Sequence, residues 1–185
     1  MSAPPLLLAS TSPQRRAILE QLGLPFDLVA PTYEESGDDP LEHAAGKARS
    51  VDGGDRPVLG VDTIVRCDGR VLGKPGHVGE AEEMLEVLSG REHEVVSGLC
   101  LRTAAWEELR SETTRVWFRP LTARDIAWYI EAREWEGRAG AYAIQGRGAA
   151  LVERIEGDYL NVVGLPAALL VRILAERFAG LYGLG

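Results

Sequence analysis

Short apolar runs alternate along the chain with polar segments at helical spacing, and the turn residues mark where one gives way to the other. Leu6 to Ala9 form the first continuous apolar run and read as a buried strand. The run breaks into Ser12-Pro13, an N-cap followed by proline at the first helical position. This predicts a helix from Pro13 to about Leu22, with Gly23 just past its end and Pro25 preventing continuation. Phe26 to Val29 read as a second strand, and Asp39-Pro40 opens a second helix that carries Lys47. After the loop from Gly53 to Pro57, residues Val58 to Arg66 predict a strand apolar enough to be covered on both faces. Asp68-Gly69 then makes a hairpin turn into Val71 and Leu72.

Ala81, Met84, Leu85 and Leu88 recur at helical spacing with glutamates between them, and Gly90 closes that helix. Residues 93 to 103 and 112 to 118 read as paired strands joined through the polar segment around Glu107 and Glu108. Thr122 caps a helix running through Ala132, with Ile126, Tyr129 and Ile130 on its buried face. Glu134 to Gly140 read as a loop. Ala141 to Ile144, Leu151 to Ile155 and Leu160 to Val163 read as strands, and Pro166 opens a last helix through Leu174. Helices and strands are interspersed and at least one strand pair is a hairpin, so the class is α/β with a mixed sheet flanked by helices.

Composition narrows the functional classes. The 185 residues suffice for one large domain or two small lobes. Asp and Glu number 28 against 20 Lys and Arg; the resulting net charge of −8 argues against a general nucleic-acid binder, whose affinity comes from excess cations. Cys67 and Cys100 are isolated and form neither metal spacing nor a disulfide framework, which fits a reducing compartment. The opening Met-Ser-Ala-Pro-Pro lacks a basic region, and Leu160 to Leu174 is broken by Pro166 and Arg172. The expectation is therefore a cytoplasmic protein with neither signal peptide nor membrane span.

Candidate chemistry begins at Arg15 and Arg16, which lie in the first helical turn where the helix dipole is already positive. Either a phosphate or a carboxylate from elsewhere in the chain would reverse that penalty. Asp62 interrupts an apolar strand, and a buried charge there needs a metal, a cation or backbone N–H groups. If the hairpin pairs as expected, Lys74 returns near Asp62. Ammonium, carboxylate and Arg15 together are consistent with a salt bridge or with a metal-phosphate site. Glu34 and Glu35 offer a second acidic element, or merely a solvated pair, and Lys47 is a lone lysine among alanines. His43, His77 and His93 have no zinc-type spacing and no nucleophile partner, so no catalytic role is assigned to them. The glycines between Gly137 and Gly148 suit tight turns or a wall against a nucleobase, which Gln145 could pair through its amide.

In order along the chain stand Leu8-Ala9-Ser10-Thr11-Ser12-Pro13-Gln14-Arg15-Arg16, Glu34-Glu35, Lys47-Ala48, Gly60-Val61-Asp62-Thr63, Leu72-Gly73-Lys74-Pro75, Met84-Leu85 through Leu88-Ser89-Gly90-Arg91 to His93, Ala139-Gly140-Ala141-Tyr142 with Gln145-Gly146, and Gly157-Asp158-Tyr159-Leu160-Asn161-Val162-Val163-Gly164-Leu165-Pro166. Together these segments resemble the Maf family, nucleoside triphosphate pyrophosphatases also described as septum-formation inhibitors. The resemblance covers nearly the whole chain, so residues 1–185 are expected to form a single Maf-like domain. It implies an elongated α/β architecture of the inosine-triphosphatase-like type with a cleft, often homodimeric. The implied reaction cleaves between the α and β phosphates, releasing a nucleoside monophosphate and pyrophosphate with Mg²⁺ or Mn²⁺ as cofactor. Asp62 matches the family's catalytic aspartate. Arg15, Glu35, Lys47 and Lys74 match its other charged site residues, and Ser10 lies in the phosphate loop.

Asp62 would then orient and deprotonate water, or ligate the metal with Glu35, while Arg15, Lys47 and Lys74 neutralise departing pyrophosphate. Within the family, substrates are sorted at the positions held here by Gln14, Thr63 and Gln145. Thr63 and Gln145 resemble the branch acting on dTTP and UTP; the branch acting on 7-methyl-GTP carries glutamate at the Gln145 position. Gln14 departs from both, where arginine or tryptophan is usual. A non-catalytic nucleotide-binding regulator of septum formation is the alternative from another class.

Overall fold

The computed structural model describes residues 3–183. Strand β1 (Leu6–Ala9) is buried along its whole length and pairs in parallel with β2 (Phe26–Val29) on one side and β3 (Val58–Cys67) on the other. Between β1 and β2 runs α1 (Pro13–Gln21). The Ser12 side chain accepts from the Arg15 N–H at its start, and Gly23 past its end adopts φ +65°, a conformation that favours glycine. Helix α2 (Pro40–Arg49) follows the same grammar, with Asp39 accepting from the Leu41 N–H and Pro40 opening the first turn.

The hairpin from β3 to β4 (Arg70–Leu72) is antiparallel, with Val65 opposite Leu72, and its Asp68-Gly69 turn has positive φ at both residues. Helix α3 (Val78–Leu88) leads to β5 (Glu92–Arg102) and β6 (Glu107–Phe118). Then come α4 (Ala123–Ile130), β7 (Val152–Glu156), α5 (Tyr159–Val163) and α6 (Ala167–Arg177). The seven-stranded mixed sheet has the order β2-β1-β3-β5-β6-β7, with β4 on β3.

Three expectations from the sequence are corrected. Ala141 to Ile144 is not a strand, because Gly140 and Ala141 take left-handed φ values of 68° and 59° and close a 3₁₀ turn over Ala139–Ala141. Leu160 to Val163 is not a strand but part of α5. The Asp158 carboxylate accepts from the Leu160 N–H at 2.8 Å, and Asn161 Nδ2 donates to the Val95 carbonyl and to Thr114 Oγ1. Strand β6 begins at Glu107, five residues before the expected start, since its first carboxylates are paired. Glu107 accepts from Arg49 Nε at 2.9 Å, and Glu108 pairs with Arg110 and Arg177.

The chain divides into two compact units. One comprises Met1–Asp62, Ser97–Glu112 and Gly164–Gly185, the other Thr63–Val96 and Thr113–Val163, so the division falls within β3, β5 and β6. The first has a small-residue core of Leu7, Ala9, Ala44, Ala45, Ala48, Val51, Val58 and Cys100. The second centres on Leu85, Leu88, Phe118, Tyr129, Tyr142 and Leu151. Cys67 and Cys100 are both free and buried, and burial pushes the Cys100 thiol up to about 12.

Within the first unit, glycine seats α2 on the sheet. A Cβ at Gly60 would lie 2.1 Å from the Ala44 carbonyl oxygen and 2.8 Å from the Ala48 nitrogen; one at Gly98 would lie 2.1 Å from the Pro40 carbonyl oxygen. Only glycine permits this approach, and the buried alanines Ala44, Ala45 and Ala48 complete it.

Candidate active site

The close seating of α2 decides what faces Asp62. His43 and Lys47 are four residues apart, so they stack on one face of the helix. Both are buried, as is Asp62 near the middle of β3. Lys47 Nζ donates to Asp62 Oδ1 at 2.6 Å and lies 2.5 Å from Glu35 Oε1, bridging the two carboxylates. His43 Nδ1 lies 3.3 Å from Asp62 Oδ2, and its Nε2 lies 3.0 Å from the Ser36 carbonyl oxygen. Glu35 is the wet end of the group, with a side chain 44% exposed against 11% for Asp62.

Arg15 enters from α1. Its Nε donates to the Gly164 carbonyl at 2.9 Å and its Nη1 to Ser10 Oγ at 3.3 Å. Ser10 Oγ also accepts from the Ser12 N–H at 3.1 Å, so one buried hydroxyl ties the loop to the guanidinium. The Ser12 hydroxyl in turn donates to Gln14 Oε1 at 3.2 Å. Arg16 goes elsewhere and pairs with Glu20 one turn along the exposed helix face. The two adjacent arginines thus divide the readings the sequence left open: Arg16 takes a surface carboxylate and Arg15 turns inward.

Opposing effects act on Asp62, His43 and Arg15. Burial pushes the Asp62 carboxyl up, but the charge and hydrogen bond of Lys47, then Arg15 and His43, outweigh it and hold Asp62 below the ordinary carboxylate value. For His43 burial favours the neutral ring, yet the Ser36 carbonyl and Asp62 prevail and raise its pKa. Burial lowers the Arg15 pKa against the pull of Asp62 and Glu35, and the guanidinium stays charged at neutral pH. The site therefore holds an ionised Asp62 among largely buried cations, a setting in which electrostatic interactions are stronger than in water.

The structure gathers Ser10, Arg15, Glu35, Lys47 and Asp62 in the first unit, with Gln14 beside them in the loop. Glu34 is exposed. Thr63, Lys74 and Gln145 belong to the second unit. Lys74 lies two residues past the end of β4, and Lys74 and Gln145 are both exposed. Sequence reading missed His43. Its one available signal was the four-residue spacing to Lys47 on the same predicted helix. Candidate donor atoms of Glu35, His43 and Asp62 all lie within 4.8 Å of one another.

A family model described as Maf-like protein matches residues 5–177. A dTTP/UTP pyrophosphatase of Symbiobacterium thermophilum is 47% identical over 180 residues, covering 92% of this chain and 93% of the relative. Relatives of the same name from Thermus thermophilus and Pyrococcus furiosus are 43% and 42% identical. They cover 94% and 91% of this chain and 95% and 93% of their own length.

Proposed function

Because the chain belongs to the Maf-like protein family, we propose that it hydrolyses dTTP and UTP between the α and β phosphates, giving the nucleoside monophosphate and pyrophosphate. The observation that carries this reading is the Lys47 bridge between Glu35 and Asp62, with Arg15 alongside. A buried, charge-balanced cluster of this kind can exchange its internal partners for a triphosphate and its counter-ion with little reorganisation.

Two carboxylates already arranged about a cation suit a divalent ion in donor type. Glu35 and Asp62 would hold that ion, which when bound supplies charge neutralisation and Lewis acidity toward the phosphates. Asp62, kept ionised, accepts a hydrogen bond from the attacking water and aims it at the α phosphorus. Its lowered pKa makes orientation a better use of this carboxylate than unaided proton abstraction. Lys47 and Arg15 neutralise charge that accumulates as pyrophosphate leaves, and Ser10 fixes the guanidinium.

Lys74 is assigned to the phosphates, and Gln14, Thr63 and Gln145 to nucleotide selection, on the family resemblance. The names of the relatives favour a pyrimidine over 7-methyl-GTP. Residues 1–185 act in this reading as one catalytic domain, as a homodimer, in the cytoplasm. A panel of nucleoside triphosphates with Mg²⁺ or Mn²⁺, scored for pyrophosphate, tests the reading. The expected outcome is turnover highest on dTTP and UTP with no orthophosphate as first product. Nucleotide binding without turnover on any triphosphate would overturn it in favour of a regulator.

A further inference from the structure

We propose that His43 is a third protein ligand, with Glu35 and Asp62, of a divalent-metal site, and that its imidazole biases the site toward first-row transition ions over Mg²⁺. The inference rests on the pyrophosphatase reading only in placing the ion at the same site.

The Ser36 carbonyl oxygen 3.0 Å from Nε2 can only accept, so Nε2 carries a hydrogen and donates it. Nδ1 then faces Asp62 Oδ2, which as a carboxylate oxygen is also an acceptor. Nδ1 and Oδ2 converge 3.3 Å apart in a buried setting, a spacing that two donor atoms take about one common ion at bond lengths of about 2.0–2.2 Å.

The surroundings of the ring are those of a ligand. Metal-binding histidines donate their remote N–H to a carbonyl or carboxylate, which fixes tautomer and ring orientation. Ser36 does this here. The ring is buried on a helix held against β3 through Gly60, so Nδ1 is aimed by packing and not by a mobile loop. Donor atoms of Glu35, His43 and Asp62 fall within 4.8 Å of one another. Bonds of about 2.0–2.2 Å to a common ion allow donors up to about 4.4 Å apart, so closure asks for only a few tenths of an ångström.

Lys47 now stands as the cation between the two carboxylates. An entering ion takes over that role and frees the ammonium for an anionic partner. An all-oxygen site favours Mg²⁺, Ca²⁺ or Mn²⁺, whereas a nitrogen donor adds affinity for Co²⁺ and its neighbours in the Irving–Williams order.

The test uses the full chain without nucleotide. Co²⁺ and Mg²⁺ are titrated calorimetrically, and the Co²⁺-loaded protein is inspected by proton NMR for an exchangeable, hyperfine-shifted imidazole N–H. The expected result is such a resonance in the unmodified protein, absent in His43→Leu. With it, Co²⁺ affinity falls about tenfold or more while Mg²⁺ affinity changes much less. His43→Asn serves if the leucine variant does not fold, and the NMR signature of the unmodified protein needs no variant. Absence of the shifted resonance, or equal loss of both ions, would overturn the proposal and leave His43 a counter-charge to Asp62. Pyrophosphate release by the unmodified protein with Mg²⁺ is scored separately. Failure of the catalytic reading and failure of this one are thus told apart.

Discussion

Lys47 is the residue on which the site's electrostatics turn, because one ammonium satisfies two carboxylates that would otherwise repel each other in a partly desolvated place. Asp62 gains most from it. Its folded pKa lies below the unfolded value near 3.8, so the ionised form contributes stability above that value, and the contribution is lost as the pH falls through the folded pKa. Asp62→Asn removes only that contribution. The gap in melting temperature between the unmodified protein and this variant should therefore narrow as pH falls from 6 toward 3, measured by thermal melts across that range. A gap that widens toward acid would show that Asp62 is held neutral in the fold. Asp62 was legible from sequence because a carboxylate inside Val58-Leu59-Gly60-Val61 has to be accounted for. His43 was not, since an isolated histidine on an alanine-rich helix gives no sign of what its ring will meet across the sheet.

Helix α2 is the element that makes the site, and it does so through the close approach that Gly60 and Gly98 allow. Gly60→Ala places a methyl against the Ala44 carbonyl and the Ala48 nitrogen, both backbone atoms that cannot swing aside. The expected cost is about 1–3 kcal/mol of stability. Activity should fall further than stability explains, because lifting α2 pulls Lys47 and His43 off Asp62; chemical denaturation and turnover at a temperature where the variant stays folded check both. Unchanged turnover in a destabilised variant would mean that the helix position is not what sets the site. The two opening helices were legible because Ser12-Pro13 and Asp39-Pro40 are local signals whose chemistry is complete in the sequence. Ala141 to Ile144 and Leu160 to Val163 were misread as strands for the opposite reason. A four-residue apolar run has no period, and what decided them lay outside the run: left-handed Gly140, the Asp158 cap and the distant partners of Asn161. The early start of β6 was hidden likewise, since Glu107 and Glu108 look like loop residues until their arginine partners are found.

At the scale of the whole molecule, a chain of net charge −8 is a poor long-range attractor for a triphosphate. Affinity must then come from short-range groups such as Arg15 and Lys47, held where water is scarce. Among the described residues no helix is long and apolar enough to cross a membrane. The family match runs from residue 5 to residue 177, through both compact units, so the proposed activity is assigned to the chain as a whole. The most direct test is hydrolysis of dTTP by Asp62→Asn at saturating Mg²⁺, with folding checked by its melting temperature. We expect thymidine monophosphate and pyrophosphate from the unmodified protein, and a loss of turnover of about 10²-fold or more in the variant. Turnover in the folded variant close to that of the unmodified protein would contradict the placement of the chemistry at Asp62.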